Sequence, residues 1–201
     1  AHALVALARL EREQGAYALA QEHSQVSLAL GRQAGNHRML MEALVELGNI
    51  TLALGQTTEA KSWFEEALKT FARLGTAHSN YVAGALLGLG WTALADQAFT
   101  NAGDYFRQTL GAHGVAAWEE VDAMAGLAAV AAATGQGEWA VEVLTFVTQA
   151  PGASHATRQR ATQQRQTLAN SLPAALFTAA TRRGQAQRRT TIRDALISVV
   201  S

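Results

Sequence analysis

The 201 residues include no cysteine, which excludes disulfides, thiolate metal sites and a cysteine nucleophile. Proline occurs only at Pro151 and Pro173, so the first 150 residues contain nothing that breaks a helix by removing a backbone donor. Charged residues make up 16% against 49% hydrophobic. A chain this apolar packs a core instead of staying disordered. Long apolar runs are missing too. The longest, Val82 to Ala95, has 14 residues, short of the roughly 20 that a membrane-spanning helix requires. No signal-peptide pattern opens the chain, and these absences lead to the expectation of a cytoplasmic protein. The chain starts at Ala1, already in helical pattern and without an initiator methionine. It is therefore read as a fragment of a larger protein.

Recognisable catalytic equipment is also scarce. The six histidines (His2, His23, His37, His78, His113 and His155) are scattered without metal-ligand spacing, and they are read as solvated residues near helix ends or turns. Gly88-Leu89-Gly90 lies inside a helical run, not between a strand and a helix, so it is no dinucleotide loop. A Walker-type phosphate loop is absent as well. The expectation is a non-enzyme with no catalytic residue, metal or cofactor; any ATPase activity would belong to another domain.

What the chain does have is a repeat. Leu44, Leu47, Gly48, Thr51, Ala60, Phe64 and Ala67 stand at offsets 0, 3, 4, 7, 16, 20 and 23. The same offsets return as Leu86, Leu89, Gly90, Ala93, Ala102, Phe106 and Thr109, and again as Met124, Leu127, Ala128, Ala131, Ala140, Leu144 and Val147. A weaker copy opens the chain with Leu4, Leu7, Ala8, Glu11, Ala20, Ser24 and Ser27. The leucine at offset 3 thus moves from Leu7 to Leu47, Leu89 and Leu127. Offsets 0, 3, 4 and 7 make one helical face. The small residue at offset 4 lets a second helix approach, and alanine is expected to be as good there as glycine, since Ala8 and Ala128 already occupy it. Turns follow at Gly15, Gly55, Gln97 and Gly135, where glycine suits a left-handed C-cap. Thr57 is expected to cap the helix that follows Gly55. Each unit is an antiparallel helix pair that must stack on its neighbours to bury its apolar face.

Leu-x-x-Leu-Gly-x-x-Thr, followed by Ala60, Phe64 and Ala67, resembles a tetratricopeptide repeat. The period here, about 40 residues, exceeds the roughly 34 of the usual form. The aromatic often found at offset 7 is missing, and Leu replaces the frequent Trp at offset 0. This long form is similar to repeats in the sensor region of bacterial multidomain signalling ATPases, the STAND class, and of related large transcription activators. The resemblance implies an all-α solenoid of four repeats over 1–150, bounded at about 1–35, 36–75, 76–114 and 115–150. Residues 151–201 are expected to be a basic helical cap. Repeat units carry 8 Lys/Arg against 15 Asp/Glu, a balance of −7; the tail carries 8 Arg against Asp194 alone, a balance of +7. In the tail, one helix is expected from His155 to Leu172. The next has Pro173 in its first turn and runs through Phe177 to Gly184, and the last holds Ile192, Leu196, Ile197 and Val200. Leu168, Leu172, Leu176, Phe177, Ile192 and Leu196 are expected to turn inward while the arginines stay in water.

Offsets −2, 1, 5 and 8 point about 130° away from the stacking face and are expected to line a concave groove. They place Arg9 in the first copy, Glu42 and Asn49 in the second, Trp91 in the third and Asp122 in the fourth. These five are the candidate ligand-groove residues, with Trp91 as the apolar anchor. Trp63, Trp118 and Trp139 fall outside this pattern and are assigned to packing between repeats. The only lysines, Lys61 and Lys69, sit on a second helix, which argues against a clamp for a chaperone's C-terminal carboxylate. The reading is an interaction or sensing module that binds a protein, a peptide or a small effector and contacts upstream domains of its own parent. A passive scaffold, and nucleic-acid binding through the arginine-rich tail, are the alternatives.

Overall fold

The computed structural model describes residues 2–74, 79–112 and 114–198. His78, His113 and Val200 fall outside the described residues, and so does the side chain of His2. The described residues form helices joined by turns, with no strand among them. In chain order they are α1 (His2–Glu13), α2 (Tyr17–Gln33), α3 (His37–Ala53), α4 (Thr57–Leu74), α5 (Ser79–Ala95), α6 (Phe99–Gly111), α7 (Ala117–Ala133), α8 (Gly137–Gln149), α9 (His155–Ser171), α10 (Ala174–Ala186) and α11 (Arg189–Ser198). The first eight pack as consecutive antiparallel pairs, an all-α solenoid.

Within each pair the turn is the same. The residue at offset 11 takes a positive φ: Gly15 at 80°, Gly55 at 76°, Gln97 at 59° and Gly135 at 85°. At Gly55 the following amide, Gln56 N–H, donates to the Thr51 carbonyl at 2.9 Å while Gly55 N–H donates to Leu52 at 3.0 Å. This is the double bond pattern of a Schellman cap. Gln97 makes it without glycine's steric freedom: Ala98 N–H reaches the Ala93 carbonyl at 2.8 Å. Thr57 does not cap α4 from outside but is its first helical residue; the bonds of the left-handed turn satisfy the last carbonyls of α3.

The stacking has a specific lock. Phe64 of α4 is fully buried between two glycines on different helices. A Cβ added to Gly48 of α3 would lie 2.6 Å from its ring, and one added to Gly88 of α5 would lie 2.2 Å from it. Phe106 of α6 repeats the arrangement between Gly90 of α5, at 2.5 Å, and Gly126 of α7, at 2.3 Å. Each ring therefore ties its own unit to the next one. The expectation that alanine suits Gly48 is corrected. Ala128 is tolerated because Leu144, not a phenylalanine, faces it from offset 20.

Three helices follow the array. α9 packs against α8 and α7 as the first helix of a further pair would, but α10 lies along α8 and hardly touches α9. At the crossing, a Cβ on Gly184 would come within 2.3 Å of the Glu142 carbonyl oxygen. α11 then runs back to α6 and α7. Pro173 is the N-cap residue of α10, one position before its first turn. Leu168, Ile192 and Leu196 are buried, and Leu172 and Phe177 half-buried, but Leu176 is exposed.

The tail's arginines do not simply stay in water. Arg183 Nε donates to Glu142 Oε2 at 2.8 Å. Arg189 pairs with Glu120, whose other oxygen is 3.3 Å from Arg193 Nε. Arg193 also donates to the Leu110 carbonyl at 2.9 Å, at the end of α6. The acidic surplus of the array draws them in: Glu120 is buried, and a buried carboxylate requires a partner. Trp118, assigned to packing, is 46% exposed, whereas Trp63 and Trp139 are half-buried against the core clusters. His23, read as solvated, instead bonds Glu11 at 2.8 Å.

Candidate functional site

The first helices α1, α3, α5, α7 and α9 touch one another in series, while α2, α4, α6 and α8 pack against first helices from the other side. One side of the array is thus a strip of first helices, where side chains from four units meet. Small residues bring the helices close, and the ionisable groups on them are partly shielded from water.

At the N-terminal end of the strip, Glu46 of α3 is only 1% exposed. Arg12 Nε of α1 donates to Glu46 Oε1 at 2.6 Å, and Arg9 Nε lies 3.8 Å from Oε2 with its side chain 54% exposed. Arg12 holds the buried charge, and the Arg9 side chain keeps about half of its surface available to solvent. In the middle, Glu42 accepts from Arg38 Nε at 3.1 Å and from the Tyr81 hydroxyl at 3.2 Å. Burial and the Glu42 charge push the Tyr81 hydroxyl above its ordinary pKa. Asn49 is half-buried on the same helix, one turn beyond Glu46.

On α7, the Glu119 carboxyl is pushed above the usual carboxylate range by burial, against the opposing pull of the Ala116 amide and the Arg9 charge. Glu119 accepts from Ala116 N–H at 2.9 Å, so it closes the start of its own helix and still senses a guanidinium on α1.

At the C-terminal end, Trp91 Nε1 donates to Asp122 Oδ2 at 3.0 Å, and the indole meets the Phe106 ring edge-on at 5.2 Å. Helix α9 lies over this pair. Thr157 donates to Asp122 Oδ1 at 2.8 Å, and the Arg160 guanidinium stacks 4.2 Å from the Trp91 ring centre. Trp91 therefore joins the core on one face and carries a tail arginine on the other.

The structure brings Trp91 and Asp122 into direct contact. It does not bring Arg9, Glu42 or Asn49 to them; those three lie further along the strip, Arg9 beside Glu46 and Glu42 with Arg38 and Tyr81. Sequence reasoning missed Glu46, Tyr81, Glu119, Thr157 and Arg160. Glu46 left a signal, as the second of two acids, with Glu42, within the otherwise mostly apolar run from Met39 to Ile50. Thr157 and Arg160 left none, because their role depends on where α9 lands. A shallow concavity of about 230 Å³ lies elsewhere, between α9 and α10, and is lined by Thr162, Arg165, Gln166, Ala169 and Phe177. Among the described residues no cluster of three His, Asp or Glu could hold a metal, and no helix is long and apolar enough to cross a membrane.

Against known proteins, no curated protein matches the chain. The family model for the tetratricopeptide repeat matches residues 1–73 and again 39–113, which together span more than half the chain. With paired helices, a shared turn at offset 11 and small residues at the pair crossings, the chain belongs to the tetratricopeptide-repeat family.

Proposed function

We propose that the strip formed by α1, α3, α5 and α7 holds an extended segment of a partner protein, with Arg9, Glu42, Asn49, Trp91 and Asp122 along its path. Tetratricopeptide repeats mediate protein–protein interaction. The observation that carries the site is Arg9: a groove arginine whose side chain is 54% exposed, held loosely at 3.8 Å beside a buried carboxylate that Arg12 already satisfies. It is positioned without being used up, which suits it to an acceptor on an incoming chain. In this reading residues 1–150 form the binding array and 151–201 close it.

A selection from a random peptide library on the 201-residue chain tests the proposal. Selected peptides should lose about tenfold or more in affinity with Arg9→Ala and with Asn49→Ala, consistent with losing a charge-assisted bond of roughly 1.5–3 kcal/mol. Lys61→Ala, on a second helix, should leave affinity unchanged. Peptides indifferent to the groove substitutions would sink the assignment.

The finer reading is a sensor within a larger signalling protein, supported by the long repeat period and by the tail that resembles the closing segment of such arrays. Trp91 and Asp122 are where a sensor would act, since Thr157 and Arg160 tie the groove to α9. Hydrogen exchange with and without a selected peptide separates sensor from scaffold. The sensor reading expects altered exchange in α9; a scaffold expects changes confined to the contacted helices. Nucleic-acid binding through the tail is the weaker alternative, since Arg160, Arg183, Arg189 and Arg193 are committed to carboxylates of the array.

A further inference from the structure

Arg160 lies in the C-terminal end of the groove. It belongs to α9, which packs on α8 and α7, yet its guanidinium reaches past α7 to within 4.2 Å of the centre of the Trp91 ring on α5. The Asp122 carboxylate stands at the edge of the same guanidinium, 3.5 Å from Nη1. An indole face with a carboxylate beside it suits a cation. It suits a guanidinium best, whose flat, weakly hydrated plane stacks on a ring while its edge donates to oxygens. Here the chain itself supplies that guanidinium.

Arg160 is held more loosely than the contacts around it. Its distance to Asp122 is the longest of the ion pairs between tail and array among the described residues; Arg183 is 2.8 Å from Glu142 and Arg193 is 3.3 Å from Glu120. Asp122 is already served, since Trp91 Nε1 donates to Oδ2 at 3.0 Å and Thr157 to Oδ1 at 2.8 Å. The Arg160 side chain stays 41% exposed, and an ion pair so open to water is weak. Nor does α9 depend on it. Ala161 and Leu168 are buried in one core cluster with Met124 and Leu144, and Arg158 donates to the Ala150 carbonyl at 3.0 Å. Arg12 at the other end of the strip is the contrast, 2.6 Å from a carboxylate that is 1% exposed. Arg160 can therefore leave its place without taking α9 with it.

We propose that Trp91 and Asp122 form a binding site for a guanidinium on the partner segment, and that Arg160 fills this site when no partner is present. The inference rests on the groove reading above and gives the partner a chemical class: its extended segment carries an arginine where it crosses α5 and α7. Binding exchanges one guanidinium for another, so Asp122 keeps a cation throughout. The released Arg160 is the change passed to α9. Self-occupancy lowers the apparent affinity of the partner by the fraction of time for which the site is free.

The probe is N-acetyl-arginine-amide, whose only charge is the guanidinium, with N-acetyl-citrulline-amide as its neutral isostere. The indole N–H signal of Trp91 in NMR reports binding. In Arg160→Ala the arginine probe should give a saturable shift with a dissociation constant on the order of 10–100 mM, and the citrulline probe none. The unaltered chain should bind the arginine probe about tenfold more weakly. Adding Trp91→Leu to Arg160→Ala should abolish binding. Arg183→Ala, which also frees a carboxylate of the array, should behave like the unaltered chain. Circular dichroism checks that each variant folds. No saturable shift in folded Arg160→Ala would overturn the proposal, as would equal affinity in both chains or an equal response to citrulline. A second reading needs no variant. Library-selected peptides that shift the Trp91 signal of the unaltered chain should carry an arginine, and should lose about tenfold or more in affinity when citrulline replaces it. Peptides that reach Trp91 without an arginine, or that tolerate citrulline, would overturn this site. If those same peptides still lost affinity with Arg9→Ala, the groove itself would stand.

Discussion

The two central junctions of the array and its first junction solve the same packing problem in opposite ways. Phe64 and Phe106 each fill a slot between two glycines, one on their own unit and one on the next. At the equivalent place in the first unit stands Ser24, fully buried, with no hydrogen-bond partner for its hydroxyl among the described residues. Its facing positions are Ala8 at offset 4 and Glu46 at offset 2 of the next unit. A ring requires both glycines; where either carries a side chain, offset 20 must shrink. Three positions on three helices therefore behave as one choice, and the strength of a junction depends on which version it holds.

The largest expected effect comes from emptying a central slot. Phe64→Ala should destabilise by about 3–5 kcal/mol, since transfer and cavity contributions add. Reversible urea unfolding measures it, and a loss below about 1 kcal/mol would show that the slot collapses at little cost.

Gly88→Ala is next. Alanine gains roughly 1 kcal/mol in helix propensity, but its Cβ would lie 2.2 Å from the Phe64 ring. Overpacking should prevail, for a net loss of about 1–3 kcal/mol. Combined with Phe64→Leu, the two changes should be non-additive by about 1 kcal/mol or more. Simple additivity in that cycle would mean that glycine and ring are not a unit.

The first junction should respond the other way. Ser24→Ala removes a buried, unpartnered hydroxyl and adds helix propensity, for a gain of about 1 kcal/mol. A lower melting temperature would show that the hydroxyl has a partner after all.

The smallest change sharpens the turns. Gln97 holds at φ 59° the conformation that glycine holds in the other three units. A left-handed non-glycine residue costs roughly 1–2 kcal/mol, partly offset because glycine orders a looser chain. Gln97→Gly should therefore raise stability by about 0.5–1 kcal/mol in thermal unfolding. A neutral or negative result would mean that the glutamine side chain is held in the turn.

Much of this fold was legible from local pattern. Offsets 0, 3, 4 and 7 mark a helix face wherever they occur, and glycine at offset 11 marks the turn. Gly48 was legible as a close-approach position but not as a position hostile to alanine, because Gly88, which completes the slot, belongs to the next repeat. The groove was legible as a list of faces. Which of its charges were already spent was not: Arg12 and Arg160 look equally free in one dimension, yet one neutralises Glu46 and the other covers Trp91. The tail's helices were legible from Pro173 and the spacing of Leu168, Ile192 and Leu196. Their course back along α8 to α6 and α7 was not.

The sequence by itself determined that this chain is helical, where its pairs turn, and that they must stack, since those depend on periodicity and on residues a few positions apart. Only the tertiary structure decided which glycines share a ring, which arginines reach buried carboxylates and which tryptophan carries a tail arginine. Each of those depends on side chains that folding brings together from distant positions, where burial raises both the value of a correct partner and the cost of a missing one.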